Sequence, residues 1–308
     1  MVATVCLRDS GNDLVHLHIS WSRPDDQLQP VQSATGKARI VRGERMLPDF
    51  EMIQHQFLGG HDITIIPLAD VHLGSAECME QEFIKFIDTV KETPNTYLAV
   101  LGDLLDNGIK SSVSNTYKQV MSPSQAKREM INILKPVADR IIVILPGNHE
   151  LRSKKESDCD ITFDMACELG IENRYRENLA FLKIQLGKDG GHDEVAGRDR
   201  PTYTLVCLHG SGGGMTGAGV NRAEKFGNIS GADALLLGHT HKPYTTQPGQ
   251  IVIDTRNNIV SVRPYKIISA TSWLKYGDYA ARKMLMPSTH CLQTLILRGN
   301  KKEMVVTM

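Results

Sequence analysis

The 308-residue sequence has no long apolar run, no excess of either charge and no closely paired cysteines, and each absence narrows its function. No apolar stretch approaches the ~20 residues of a transmembrane helix, so we expect no membrane span. Lys plus Arg number 35 and Asp plus Glu also number 35, so the net charge does not indicate a polyanionic partner. A local basic patch can nevertheless coexist with a neutral total. The six cysteines form no C-x-x-C pair, and the first ten residues show no secretory pattern. We therefore expect reduced thiols in a cytoplasmic protein.

The first 60 residues differ in pattern from the rest of the chain. Residues 2–21 alternate between apolar and polar positions around a turn at residues 10–13, which predicts a β-hairpin. Residues 22–50 are polar and irregular. We therefore divide the chain into an N-terminal hairpin and irregular arm, residues 1–60, whose role the sequence does not indicate, and one larger domain, residues 61–308.

The larger domain opens with apolar runs that alternate with helical patterns. The runs are residues 63–69, 97–101 and 141–145. Helices are predicted around residues 83–90 and from Ser122, where Pro123 suits the first turn and Gln125 completes a capping box with Ser122. This order implies parallel strands joined by crossover helices, and such sheets bind ligands beyond the carboxyl ends of their strands. Later short runs between turns suggest an added, mostly antiparallel sheet, so we expect an α/β domain with two packed sheets flanked by helices.

Five short polar segments follow apolar runs. They are Asp70-Val71-His72, Gly102-Asp103-Leu104-Leu105-Asp106, Gly147-Asn148-His149-Glu150, His209, and Gly238-His239-Thr240-His241. Carboxylate and imidazole groups suit divalent metals such as manganese, iron, zinc or cobalt. Residues two apart in an extended segment point the same way, so Asp70 and His72 could hold one ion, whereas His239 and His241 could hold one ion or two neighbouring ions. Burying so many such groups together without metal would cost several kcal/mol.

In order, these segments resemble the motif set of the calcineurin-like metallophosphoesterase superfamily: D-x-H, G-D-x-x-D, G-N-H-E/D, H and G-H-x-H. The resemblance covers residues 62–245 and implies a four-layer αββα sandwich of two mixed β-sheets flanked by helices. It implies these metal ligands: Asp70, His72 and His241 on one ion, Asn148, His209 and His239 on the other, and Asp103 bridging both. His149 resembles the histidine that contacts the scissile phosphate and helps the leaving group depart. Asp106 resembles the carboxylate that orients this histidine, and we expect Glu150 to support the turn.

The resemblance also implies the chemistry, which is hydrolysis of a phosphoester with two divalent metal ions about 3.5–4 Å apart. Manganese is favoured, and iron, zinc, cobalt and nickel are the alternatives. A hydroxide that bridges the ions would attack phosphorus while His149 assists the leaving group, without a covalent enzyme intermediate. A non-catalytic scaffold is disfavoured because His149 and all seven ligand positions are present.

Two motif details favour a phosphodiester substrate. Phosphoprotein phosphatases of this superfamily carry an Arg after the second Asp of G-D-x-x-D, where this sequence has Asn107. Residues 70–74, D-V-H-L-G, are similar to the nuclease subunit of double-strand-break repair complexes and to related bacterial phosphodiesterases. We therefore expect a phosphodiesterase that acts on DNA, RNA or a nucleotide-like diester. The alternative is a phosphomonoesterase or small nucleotide phosphodiesterase, and no protein partner is indicated.

Two further segments leave alternatives open. The glycine-rich residues 210–219 could bring backbone N–H groups to a phosphate beside the metals, or could be a simple connection. Arg152, Lys154 and Lys155 could contact the phosphates of a nucleic acid, or could belong to a solvated loop.

Overall fold

The computed structural model describes residues 2–6, 18–22, 48–58, 60–110, 112, 116–187, 201–211, 218–226, 229–277, 280–281, 284 and 287–308. The chain divides into two units, Met1–Pro48 and Asp49–Met308. In the first unit, β1 (Val2–Cys6) pairs antiparallel with β2 (His18–Ser22). This confirms the strand pairing of the predicted hairpin, whose turn lies outside the described residues.

The described part of the second unit contains helices on the outside and two main β-sheets. The helices are α1 (Glu80–Glu92), α2 (Pro123–Leu134), α3 (Glu150–Ser157), α4 (Ile161–Glu168) and α5 (Ala218–Phe226). The strands are β3 (Met52–Leu58), β4 (Ile63–Leu68), β5 (Thr96–Val100), β6 (Ile141–Ile144), β7 (Leu179–Gly187), β8 (Thr202–Leu208), β9 (Ala234–Leu237), β10 (Tyr244–Thr246), β11 (Gly249–Asp254), β12 (Ile259–Pro264), β13 (Lys266–Ser269), β14 (Thr294–Leu297) and β15 (Met304–Thr307). None of the described helices combines the length and apolar character needed to cross a lipid bilayer.

The first main sheet has the strand order β15-β14-β4-β5-β6. β4, β5 and β6 run parallel, with α1 and α2 in the crossovers, as the alternation of patterns predicted. α1 buries the side chains that recur at helical spacing, among them Phe83 and Val90. α2 begins at the predicted capping box, in which the Ser122 hydroxyl accepts from the Gln125 backbone N–H.

The second main sheet has the order β10-β13-β9-β8-β7-β3 and packs face to face on the first. One apolar core joins the inner faces, with Ile65 and Leu101 from the first sheet against Leu182, Leu205 and Leu236 from the second. β7 alternates strictly between buried and partly exposed residues, which is the pattern of a strand with one face on a core. A second core places α1, α2 and α4 on the outside of the first sheet, and a third places α5 on the outside of the second. The predicted α/β fold of two packed mixed sheets flanked by helices is thus confirmed.

The second sheet is not mostly antiparallel, contrary to our expectation. β9 runs parallel to both neighbours, β8 and β13, and β3 runs parallel to β7. Two antiparallel pairs lie outside this sheet: β11 and β12 form a separate hairpin, and β14 and β15 pair at the edge of the first sheet.

The boundary between the two units lies at 48/49, and the domain division at 60/61 stays a prediction. β3 belongs to the larger unit, where Ile53 is buried and pairs with Leu182 of β7. That pairing joins segments far apart in sequence, so no local pattern could indicate it.

Candidate metal centre

The side chains singled out by the sequence follow the carboxyl ends of strands in both main sheets. Asp70, Asp103 and Asn148 come after β4, β5 and β6, and His209 and His239 come after β8 and β9. Strand ends of this kind are where ligands bind in open α/β sheets. The two sheets therefore deliver five polar segments to one place.

The cluster is centred on one carboxylate oxygen. Asp103 Oδ2 lies 3.3 Å from His209 Nε2 and 3.9 Å from the Nε2 atoms of His72 and His149. Among the described residues, three groups of candidate ligand atoms each span no more than 4.8 Å: first Asp70, His72 and His241, second Asp103, His209 and His239, and third His72, Asp103 and His149. Asn148 Oδ1 joins the second group, 3.1 Å from His209 Nε2. The predicted site residues thus meet in space, and their roles as ligands stay a prediction.

Each central aspartate is fixed through one oxygen and faces the cluster with the other. Asp70 Oδ2 accepts from the His239 backbone N–H at 2.8 Å, and Asp103 Oδ1 accepts from the His149 backbone N–H at 2.8 Å. Asp70 Oδ1 is buried 3.5 Å from His241 Nε2 and has no hydrogen-bond partner among the described residues. A buried carboxylate oxygen costs free energy unless it is paired, and a cation would satisfy it.

The imidazole nitrogens converge in a way that fits a cation better than a hydrogen bond. His72 Nε2 and His241 Nε2 lie 3.2 Å apart, and His239 Nδ1 lies 3.2 Å from His209 Nε2. His209 Nδ1 lies 2.7 Å from the Leu101 carbonyl oxygen, so this nitrogen donates and leaves the Nε2 lone pair facing the cluster. Converging imidazoles and carboxylates with backbone partners behind them are the usual surroundings of a divalent metal.

The backbone at the cluster is left-handed, which sequence patterns did not indicate. φ is +54° at Asp70, +51° at His72, +52° at Asp103, +67° at His239 and +54° at His241. This conformation costs a residue with a Cβ atom roughly 1–2 kcal/mol. Such strain concentrates at functional sites, because there the position of a side chain matters more than its contribution to stability.

Two motif glycines let the loops approach each other. A Cβ atom at Gly147 would overlap the carboxylate and backbone nitrogen of Asp103, and one at Gly102 would overlap the backbone of Gly147. Gly102 also has φ of +90°, a conformation that side chains rarely adopt. The glycines therefore allow the loops after β5 and β6 to touch, which places Asp103 beside Asn148.

Glu150 fastens the same two loops, in the supporting role predicted for it. Its side chain is 2% exposed, Oε1 accepts from Leu105 N–H at 2.8 Å, and Oε2 accepts from Asp103 N–H at 3.0 Å and Gly147 N–H at 2.8 Å. Burial and the nearby Asp103 charge raise the pKa of Glu150. Three donated hydrogen bonds oppose that penalty.

His149 points its Nε2 atom into the cluster. Its Nδ1 lies 2.8 Å from the Asp106 carbonyl oxygen and 3.3 Å from Asp106 Oδ1, so Asp106 orients the ring through its backbone as well as its carboxylate. Sequence reasoning missed two supports of this arrangement. Gln119 Nε2 donates to Asp106 Oδ2 at 2.6 Å, and Asn107 Nδ2 donates to the His149 carbonyl at 2.7 Å. A sequence signal could have identified Asn107 as a supporting residue, because it adjoins the G-D-x-x-D motif. No motif marks Gln119.

The electrostatics of the cluster are coupled through Asp103. Burial lowers the pKa of His209, but the charge of Asp103 and a hydrogen bond to it outweigh burial and raise that pKa to about 9. Burial likewise opposes ionisation of Asp103, yet the His209 charge holds the pKa of this carboxyl well below its usual range. Burial lowers the pKa of His149, but the hydrogen bond to Asp106 and the charge of Asp103 raise it overall. The proton on His209 thus takes the place of a cation in the metal-free cluster.

The three basic residues considered for nucleic-acid contact differ in their surroundings. Lys154 Nζ lies 3.0 Å from Asp160 Oδ2 and 2.8 Å from Glu177 Oε2, so its charge is already neutralised. Arg152 Nη1 donates to the Asp106 carbonyl at 3.3 Å, which places its charge beside His149, and Lys155 is exposed. Most of the glycine-rich segment, residues 212–217, lies outside the described residues.

Comparison with known proteins supports one family. Residues 63–243, more than half of the chain, match the family model described as "Calcineurin-like phosphoesterase". No curated protein matches the sequence. One similar solved structure is a conserved uncharacterized protein from Streptococcus pneumoniae TIGR4, described as a predicted phosphoesterase. It covers 80% of this chain and 98% of its own, at 9% identity and a TM-score of 0.30, a similarity too low to carry an argument.

Proposed function

The chain belongs to the calcineurin-like phosphoesterase family, and from that premise we propose that it is a phosphodiesterase with two divalent metal ions. The family and the His/Asp clusters make it a metal-dependent hydrolase of phosphoesters. The diester substrate, the number of ions and the role of each residue are our proposal.

The observation that carries the two-metal proposal is the position of Asp103. Its Oδ2 lies between the first and second ligand groups, and its other oxygen is held by a backbone N–H, so it is the candidate bridge. We assign Asp70, His72 and His241 to one ion and Asn148, His209 and His239 to the other. Manganese is favoured, with iron, zinc, cobalt and nickel as alternatives. Two such ions would lower the pKa of water to ~7 and stabilise charge on the attacking and departing oxygens.

His149 is proposed to hold the proton that the leaving group needs. Its Nδ1 hydrogen is donated to the Asp106 carbonyl, which leaves Nε2 facing the cluster. The hydrogen bond to Asp106 and the charge of Asp103 raise the pKa of His149, which favours the protonated ring, and Nε2 is placed to donate a proton to a departing oxygen. Asp106 and Gln119 are positioning residues that keep the ring in this orientation.

A diester is the favoured substrate because this chain has Asn107, whose amide supports the loop, at the position where phosphoprotein phosphatases carry an Arg. Asn107 is 2% exposed and contacts the His149 carbonyl and the Ser153 hydroxyl, so it cannot neutralise a phosphate. A diester has less charge than a monoester and needs less neutralisation. A nucleotide-like diester, DNA and RNA included, is therefore the proposed natural target.

A monoesterase is the second candidate, and Arg152 is the observation that favours it. Its guanidinium lies beside the Asp106 carbonyl and its charge acts on His149. A cation in that position could neutralise the extra charge of a monoester.

A substrate panel with added Mn²⁺ tests the proposal. We expect bis-p-nitrophenyl phosphate to be cleaved with a higher kcat/KM than p-nitrophenyl phosphate, and we expect Asp103→Asn to abolish both activities. Cyclic nucleotides and single- and double-stranded DNA complete the panel. A preference for the monoester with no cleavage of any nucleic acid or cyclic nucleotide would reverse the assignment in favour of the monoesterase.

A further inference from the structure

A cavity of about 430 Å³ opens beside the second ligand group, and the proposed reaction does not use it. Asn148 and His209 line one end, so the cavity begins at the metal centre and continues under α5. Pockets that bind small molecules usually measure about 300–1,000 Å³. The cavity is therefore large enough for an organic group attached to a phosphate at the centre.

The walls of the cavity are mostly apolar. Leu208, Leu235 and Leu237 of β8 and β9 form one wall, and Ala223 and Phe226 of α5 also line it. Phe226 is 45% exposed, so its ring is accessible to a ligand. An accessible aromatic ring next to aliphatic side chains is the kind of surface on which a flat ring stacks.

The described residues that line the cavity do not favour a second anion. Of the described residues that line it, none is a lysine or arginine, and the carboxylate of Glu177 is paired with Lys154 Nζ at 2.8 Å. A neighbouring phosphate of a nucleic-acid strand would find no lysine or arginine among these described residues. An uncharged group fits this lining, and Asn178 adds an amide for polar contact.

We propose that this cavity binds the uncharged ring of one ester group, of the size and shape of a nucleobase, while its phosphate lies at the metal centre. The inference rests on the proposed diesterase function and deepens it, because it points to a small nucleoside diester and not to an extended strand. Phe226 is then a specificity-determining residue.

Two diesters with the same leaving group test the proposal. These are methyl p-nitrophenyl phosphate and thymidine 5′-(p-nitrophenyl phosphate), assayed with Mn²⁺ on the wild type and on Phe226→Ala. We expect the wild type to favour the thymidine ester by at least ~10-fold in kcat/KM, and Phe226→Ala to reduce that ratio about 10-fold, the typical effect of losing one stacked base. Phe163→Ala is the matched control, because Phe163 is 41% exposed and lies on α4 outside the cavity. It should keep the wild-type ratio.

Ala223→Leu provides a second test, since the larger side chain fills part of the cavity and should lower the same ratio. Binding of both esters to metal-free protein, measured by calorimetry, separates this proposal from the proposed function. Suppose that neither ester is hydrolysed, but the thymidine ester binds more tightly and Phe226→Ala removes that difference. The proposed diesterase function is then wrong, and the proposal that the cavity binds a ring is supported. Equal kcat/KM values for the two esters in the wild type, or an unchanged ratio in Phe226→Ala, would overturn the proposal that the cavity binds a ring.

Discussion

The buried carboxylate of Glu150 offers the sharpest test of how the cluster is held together. We consider Glu150→Gln, which keeps the size of the side chain but replaces one oxygen with an NH₂ group. If the amide oxygen takes the place of Oε2, it can still accept from Asp103 and Gly147. The NH₂ group then faces the N–H of Leu105, which lies 2.8 Å from the carboxylate in the native protein.

The expected loss of stability follows from those three donors. One buried N–H without an acceptor costs about 1–3 kcal/mol. The two remaining hydrogen bonds lose the assistance of the negative charge, which makes such bonds roughly twice as strong as neutral ones. Removing a buried charge offsets part of this, since burial raises the pKa of Glu150. We expect a net decrease of about 2–4 kcal/mol in the free energy of unfolding.

Urea unfolding of the metal-free protein measures this change as a shift of the midpoint. Glu156→Gln on the same helix is the control, because Glu156 is exposed and its substitution should stay within about 0.5 kcal/mol. Glu150→Gln should also weaken Mn²⁺ binding, since the loops that carry Asp103 and Asn148 lose their fastening. If Glu150→Gln were as stable as Glu156→Gln, the carboxylate would not hold the loops together and the reasoning would be refuted.

Three further predictions concern the site itself. Gly147→Ala places a methyl group against Asp103 and should abolish Mn²⁺ binding in calorimetry. Gly170→Ala should keep it, because its added methyl meets nothing within 4 Å and the strain from its φ of +70° falls away from the site. His149→Gln should lose ~10²–10⁴-fold in kcat for esters with poor leaving groups and much less for p-nitrophenyl esters; equal losses for both would show that His149 does not assist departure. The pKa of His209 is raised from 6.5 to about 9, so the protonated imidazole stabilises the folded, metal-free protein. This contribution is fully present below pH 6.5 and is lost as pH rises through 9. Urea midpoints in EDTA should therefore fall between pH 7 and pH 9, and a rise across that window would contradict the electrostatics derived for Asp103 and His209.

The sequence predicted most of the site because its information is local. Each polar segment directly follows an apolar strand, and parallel strands carry such segments to one edge of a sheet. That reasoning places Asp70, Asp103 and Asn148 together without any structure. The capping box at Ser122 is local in the same way and is present where it was predicted.

The features that sequence reasoning missed depend on contacts between distant segments. Gln119 reaches Asp106 from an irregular segment that carries no motif, so its hydrogen bond could not be predicted. The pairing of β3 with β7 and the parallel pairing of β9 with β8 both join segments that are separated in the chain. The left-handed backbone at His72 and His241 is imposed by the assembled loops and goes against local preference.

The most direct test of the account is a titration of metal-free protein with Mn²⁺, followed by hydrolysis of bis-p-nitrophenyl phosphate. Asp103→Asn is the control, because Asp103 is the one candidate ligand assigned to both ions. We predict that activity rises to a plateau at two equivalents of Mn²⁺ per chain, and that Asp103→Asn neither binds two ions nor gains activity. Full activity with one ion or none, or in the presence of a chelator, would contradict the two-metal centre.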